Sequence, residues 1–340
     1  MTALHITNGD AAARIIKNST IKGDILPWRD PMHHGPFPAG LSLDDASKLR
    51  AGYLAGPGMD LAQVEHEFTG RDAQLRTATD YDSVILWFEH DLLDQLQILQ
   101  ILDWFAQVSL GGTTLEIICI DRFPGHDRFR GIGELAPENM ASLHDHRQPV
   151  TDAMLTLAQQ GWRAFRSDVP DDVLTFAQGD LAALPFLRKA LQRHFQEYPS
   201  ATNGLTRTQA QLLSLVANGV CDPVDLFVQN MNFETALFIG DWPTFAHLET
   251  LCNMSLLACT PHPFVRPSRP GADQQRLRNQ QFRLTDAATQ VLNGRANAID
   301  LIHRDAWLGG VHLRSDQPMW TWQADGARFV LRPPVGRGAL

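Results

Sequence analysis

Cysteine is scarce. The 340 residues hold four (Cys119, Cys221, Cys252, Cys259), widely spaced and without a C-x-x-C pair, which argues against a disulfide framework and a thiolate zinc site. Long apolar runs are missing as well. The richest stretch, Ser83–Phe105, is broken by Glu89, His90, Asp91, Asp94 and Asp103, short of the roughly 18 residues a membrane span needs. The opening MTALHITNGD has neither a basic lead nor an apolar segment, so no secretory signal is expected and the chain reads as cytoplasmic. Several signatures of known chemistry are absent too. There is no G-x-x-x-x-G-K-[ST], no G-x-G-x-x-G after the first strand, no G-x-S-x-G and no H-E-x-x-H. These gaps count against P-loop kinases, dinucleotide dehydrogenases, serine hydrolases of the α/β type and zincins.

What is present suffices for a full core. Hydrophobic residues make up 44% and charged residues 20% of the chain, an ordinary globular balance at a length of about two domains. The net charge of −9 speaks against a protein that coats nucleic acid along its whole length. The charge is uneven, however. Residues 261–340 carry eleven arginines and six aspartates with no lysine or glutamate, whereas the first 260 residues carry 18 basic and 32 acidic side chains. An acidic body is joined to an arginine-rich tail.

Apolar runs at Ala3–Thr7, Asp24–Trp28, Ser83–Phe88 and Leu115–Ile120 read as strands, separated by segments of helical pattern. Strands without polar alternation, alternating with helices, predict a parallel sheet covered on both faces. Residues 1–135 are therefore expected to form an α/β, Rossmann-like domain, and residues 136–200 a helical connecting segment with helices opened by Pro137 and Pro149. The turn-rich YPSATNG at 198–204 is the expected main linker. Beyond it, three helices, a strand at Leu256–Thr260, a basic loop, a strand at Phe282–Leu284 and a helix at Asp286–Leu292 follow the order of a winged helix-turn-helix. Residues 201–340 are expected to be a winged-helix-like α+β domain.

In an open parallel sheet, ligands bind at the carboxyl ends of the strands, where helix N-termini present free N–H groups. Here every predicted strand runs into polar residues: Asn8, Gly9 and Asp10 after the first, Arg29, Asp30, His33 and His34 after the second, Glu89, His90 and Asp91 after the third, Asp121 and Arg122 after the fourth. Asp10, His34, Glu89 and His90 are the candidate acid–base residues, since histidine titrates near neutrality and flanking carboxylates set its tautomer. Asn8, Gly9, Arg29, Asp30 and Asp91 are the candidate ligand contacts. Each has a plainer reading beside it. Asp10 and Asp91 stand where helices begin and suit capping, Gly9 suits a backbone shape closed to other residues, and Arg29 and Asp30 suit a local ion pair. His5 suits a core position, and the loop holding His33 and His34 looks exposed. Aspartate and histidine are also ligands for a divalent metal, but no spacing here matches a metal signature, so no metal is indicated.

The helix Leu92–Ala106 is apolar on more than one face, so it is covered on several sides, by its own domain in preference to a homodimer interface. Asp94 and Gln95 in its first turn can face the strand ends. In the tail, Arg266, Arg269, Arg276 and Arg278 fall where a wing would meet DNA phosphates. The would-be recognition helix WPTFAHLETLCN lacks arginine and lysine, which removes the commonest base contact.

The motifs HITNGD (5–10), LPWRD with HHGP (26–36), WFEHDLLDQLQ (87–97) and WLGGVHL (307–313) together resemble the bacterial family catalogued as domain of unknown function family 1835. That resemblance implies membership and supplies neither reaction nor substrate. The function expected from the residues is an enzyme, a hydrolase or transferase, acting on a phosphate-bearing or nucleotide-like small molecule. The alternative is a ligand-responsive DNA-binding regulator.

Overall fold

In the computed structural model, which describes residues 2–56, 60–267 and 274–334, the chain divides into two compact units: Met1–Gln192 with Gly309–Val311, and Arg193–Leu308 with His312–Leu340. The fold is α/β, with thirteen α-helices and a mostly parallel five-stranded sheet among the described residues. No described helix is long and apolar enough to cross a membrane.

The first unit is built on that sheet. Its strands are β1 (Ala3–Thr7), β2 (Asp24–Pro27), β4 (Ser83–Glu89), β5 (Thr114–Ile120) and β6 (Gln148–Pro149), in spatial order β2-β1-β4-β5-β6; the two-residue β3 (Gly35–Pro36) lies outside it. The first four run parallel and β6 pairs antiparallel with β5. Pro149 thus ends a strand at the sheet edge, where its missing N–H costs nothing. It does not open a helix; the next one is capped by Thr151, whose Oγ1 accepts from the Met154 N–H. From β1 the chain steps to β2 on one side, then returns to β4 on the other. The order reverses between β1 and β4, which is where open parallel sheets leave a crevice at their carboxyl edge.

Alternation along the strands divides the core. Ile85 and Trp87 of β4 join Ala12, Ile15 and Ile16 of α1 (Asp10–Lys17) on one face. Helices α2 (Leu43–Leu54) and α3 (Leu61–Arg76) fill the connection from β2 to β4, and α4 (Leu92–Phe105) follows β4. After α5 (Pro137–His144), helix α6 (Asp152–Phe165) lies along α4, with α7 (Pro170–Gln178) next to it. This cover explains why α4 is buried on nearly all sides without a second copy of the chain. Gly161 permits the close approach: a Cβ there would sit 2.8 Å from Phe176 of α7 and 3.0 Å from Leu99 of α4. His5 is a core residue. It accepts from Trp87 Nε1 at its Nδ1 (3.1 Å), and its Nε2 lies 3.2 Å from the Lys22 carbonyl.

The boundary between the units falls inside α8 (Leu187–Phe195). The second unit continues with α9 (Arg207–Ala217), α10 (Pro223–Asn230), α11 (Asp241–Asn253), β7 (Leu257–Thr260), α12 (Gln274–Arg278), β8 (Gln281–Leu284) and α13 (Asp286–Leu292). Thr206 and Gln209 form a capping box at α9, and Asp222 caps α10. At α11 the N-cap is Gly240 and Asp241 lies inside the helix. Strands β7 and β8 pair antiparallel. Then come the neighbouring β9 (Asp305–Gly309) and β10 (Val311–Arg314), and a ribbon of β11 (Met319–Gln323) and β12 (Arg328–Arg332).

The segment after β2 departs from expectation. Met32, His33 and Phe37 are buried, so the PMHHGPF stretch is part of the interior. A buried loop needs partners for its backbone, and Arg50 of α2 supplies them, donating to the His34 and Pro31 carbonyls at 2.8 and 3.3 Å. The same guanidinium grips Asp30 through Nη2 at 2.7 Å and Nε at 3.0 Å, both residues 1% exposed. Arg71 of α3 stands 4.0 Å from Asp30, pairs with Asp72 and lies 4.2 Å over the Trp28 ring. Replacing Asp30 with alanine leaves Arg50 buried without its carboxylate. Chemical denaturation of Asp30→Ala should show a loss of about 3–5 kcal/mol; a loss below about 1 kcal/mol would mean that the pair does not hold the loop.

Candidate functional site

The carboxyl edge of the sheet is where the motif residues gather. Asn8 follows β1 and Glu89 ends β4, the two strands flanking the reversal of order. The Asn8 Nδ2 donates to Glu89 Oε1 at 2.8 Å and to Asp94 Oδ1 at 3.0 Å. Asp94 Oδ2 also accepts the Glu89 backbone N–H at 2.7 Å, and Glu89 Oε2 accepts the Ile132 N–H at 3.0 Å. Gly131 makes that last contact possible: its φ is +151°, and a Cβ there would collide with the Glu89 carboxylate. Asp91 caps α4, its Oδ1 accepting from the Asp94 N–H at 2.9 Å. Gln95 donates to the Glu89 carbonyl at 2.8 Å. Both first-turn residues of α4 thus turn to the strand end.

Glu89, Asp91 and Asp94 are all buried, and desolvation dominates their electrostatics. Burial, then the Asp91 charge, pushes Glu89 well above the usual carboxylate range, and Asp94 rises for the same reasons with Glu89 adding to them. Burial pushes Asp91 up to about 6. Among the described residues this is the one acidic cluster with cation-binding spacing, its oxygens within 4.8 Å of one another, and an all-oxygen set suits a hard cation such as magnesium or calcium. Every oxygen of Glu89 and Asp94 already accepts an N–H, however. The Asn8 amide supplies the positive edge that these carboxylates require.

Asp10 and Arg29 form a second group. Asp10 does not cap α1: the N-cap is Gly9, with no side-chain bond. Both Asp10 oxygens instead face Arg29, accepting from Nε at 2.9 and 3.1 Å, with Nη2 at 2.8 Å. Arg29 therefore pairs with Asp10 and Asp30 with Arg50, so the expected local Arg29–Asp30 pair does not form. Gly9 is corrected as well. Its φ of −178° is extended backbone open to any residue, and a Cβ there would meet nothing within 4 Å. The unusual backbone belongs to Arg29, at φ +58°. Asp10, Arg14, Lys17 and Arg29 line an open cleft of about 770 Å³ between α1 and β2. It runs beside α1, not over the buried carboxylates, and meets the carboxyl edge at Asp10 and Arg29.

Gln97 of α4 joins the two groups, donating to the Asn8 carbonyl at 3.3 Å and the Asp30 carbonyl at 2.9 Å. Neither Gln97 nor the buried arginines Arg50 and Arg71 stood out in the sequence, because polar positions on a helix read as solvated until their neighbours are known. His34 is held elsewhere: its carbonyl accepts from Arg50, and its ring lies 4.7 Å from His33 and 5.7 Å from Tyr53. The His90 ring stacks at 6.4 Å on Phe129 and meets Phe186 edge-on.

In the second unit, Arg266 lies 3.5 Å from Glu249 and 4.3 Å over the Trp242 ring. Arg278 is 3.4 Å from both Asp222 and Asp225, while Arg276 is exposed on α12. Arg269 lies outside the described residues. His312 is 2.6 Å from Asp305 and stacks on Trp307 at 4.1 Å. Set against family models and curated proteins, the chain matches none.

The raised carboxylates fix a pH dependence. Glu89 and Asp94 hold protons more tightly folded than unfolded, so their contribution to stability is full below the unfolded range near pH ~4 and is lost as pH rises through the folded values. His5 and His144, held low by burial, and His194, pushed down to about 4 by burial, act the other way: their contribution is present above pH ~6.5 and lost as pH falls. Asp94→Asn removes one carboxylate and leaves the histidines. Urea titrations at pH 5 and pH 8 should show the variant gaining on the wild type at the higher pH by on the order of 1 kcal/mol, and an equal difference at both pH values would refute the assignment.

Proposed function

We propose that this protein is an enzyme that binds a phosphate-bearing or nucleotide-like small molecule at the carboxyl edge of a Rossmann-like sheet and hydrolyses or transfers a group on it. The observation that carries the reading is the cleft beside α1, whose lining brings the cations Arg14, Lys17 and Arg29 to one surface. Beside them the cleft holds two carboxylates, Asp10 and Asp24, which leaves one positive charge in surplus for an anionic ligand, and Arg29 can offer two parallel N–H groups to a phosphate. The buried Asn8–Glu89–Asp94 group serves the site as its frame, holding the ends of β1 and β4 in register with α4. Asp10 and Arg29, both exposed at the cleft, are the site residues a ligand reaches first.

The resemblance to family 1835 is consistent with this placement, since its first three motifs supply Asn8, Asp10, Arg29, Asp30, Glu89 and Asp94. The helix order of the second unit supports a winged-helix-like reading of that unit. DNA binding is the weaker reading, because α11, the helix that would read the bases, carries no arginine or lysine.

A thermal-shift series with inorganic phosphate, nucleotides and sugar phosphates tests the proposal. A ligand at 100 times its Kd stabilises the folded state by about 2.7 kcal/mol, enough to raise Tm by several degrees. The shift should be lost in Arg29→Gln and reduced in Arg14→Gln and Lys17→Gln. Equal shifts in all four proteins would place the ligand elsewhere.

A further inference from the structure

The Asp10–Arg29 pair has a feature that capping and packing leave unexplained. Asp10 stands in the first turn of α1, where an aspartate ordinarily caps or complements the helix end, yet its carboxylate is spent on a guanidinium across the cleft mouth. Arg29 takes φ +58° there, a left-handed conformation that is strained for a non-glycine residue. The neighbouring backbone holds it there: the Arg29 N–H donates to the Asn8 carbonyl at 3.3 Å, the Trp28 N–H to the Thr7 carbonyl at 2.8 Å, and Gln97 grips the Asp30 carbonyl. These bonds fix the Arg29 backbone at the cleft mouth without any contribution from the Asp10 side chain.

Resting on the proposed phosphate-binding function, we propose that Asp10 is a built-in competitor for the ligand's anionic group. Its carboxylate holds the Nε and Nη2 edge of Arg29 until a phosphate takes over the same edge. Two acceptor oxygens on one group are what this edge recognises, so the carboxylate and the phosphate exclude each other. The exchange is cheap because both partners are open to water, with side-chain exposures of 69% for Asp10 and 47% for Arg29, and exposed pairs of this kind are weak. It is also selective. A phosphate dianion outbids a single carboxylate charge, whereas a neutral ligand or a monoanionic carboxylate gains little. The ligand class is thus a terminal phosphate, and Asp10 sets the threshold that rejects weaker anions.

The test is calorimetric titration of the full-length protein with inorganic phosphate, for the wild type, Asp10→Asn, Arg29→Gln and the double variant. Asp10→Asn should bind phosphate about two- to fivefold more tightly than the wild type, the range set by an exposed ion pair. Arg29→Gln should lose binding, and the double variant should behave as Arg29→Gln does. Because Asp10 is exposed and caps nothing, the melting temperature of Asp10→Asn without phosphate reports separately on folding. Weaker or unchanged binding in Asp10→Asn, with binding still lost in Arg29→Gln, would overturn the competitor role and leave the proposed function standing. Undiminished binding in Arg29→Gln, or no binding in any protein, would overturn both.

Discussion

One side-chain amide ties the first unit together. The Asn8 Nδ2 reaches from the end of β1 to Glu89 at the end of β4 and to Asp94 in the first turn of α4. It does so at the reversal of strand order, where the backbone alone leaves a crevice. Two carboxylates buried this close repel one another and lose their hydration, a cost met only by hydrogen-bond donors held in place. The donors come from three separate chain segments: the Asn8 amide, the Glu89 backbone and the Ile132 backbone behind Gly131. Losing the Asn8 amide or the Ile132 N–H leaves a Glu89 oxygen without its donor, so the position of each segment depends on the others.

The second constraint is the burial of the loop after β2. Trp28, Met32 and Phe37 supply the apolar surface that draws this loop inside, and its polar groups follow only because Arg50 and Arg71 enter with it. Both guanidiniums are desolvated and both lie over aromatic faces, Arg50 at 4.3 Å from the Phe37 centroid and Arg71 at 4.2 Å from that of Trp28. Asp30 is the charge they share. This anchoring lets Arg29, the residue just before, keep a left-handed backbone and an exposed guanidinium. A strained residue persists where its surroundings over-determine it, and here Gln97 and the ends of β1 and β2 do so.

In the second unit the arithmetic of charge and the arrangement of charge point in different directions. The last 80 residues have a surplus of five positive charges, yet Arg266 and Arg278 are matched by acids from α11 and from the start of α10. Those acids lie far away in sequence, so counting charges along the tail overstates the field it offers to a polyanion.

The sequence by itself determined the four parallel strands of the first unit. Unbroken apolar runs such as SVILWF belong to strands buried on both faces, and the structure places Ser83–Glu89 and Thr114–Ile120 within a residue of expectation. Asp91 marked the start of α4, because a cap is a local hydrogen bond between residues two or three apart. The convergence of Asn8 and Glu89 was legible for a similar reason: a parallel sheet brings all its strand ends to one edge. Tertiary structure alone decided which polar residue meets which. Asp10 looked like a cap and is an ion-pair partner, and Gly9 looked conformationally special while Arg29 is. The Asp10–Arg29 and Asn8–Asp94 contacts join residues 19 and 86 positions apart, and they are selected by the desolvation of each charge at its final place, a quantity that no local pattern contains.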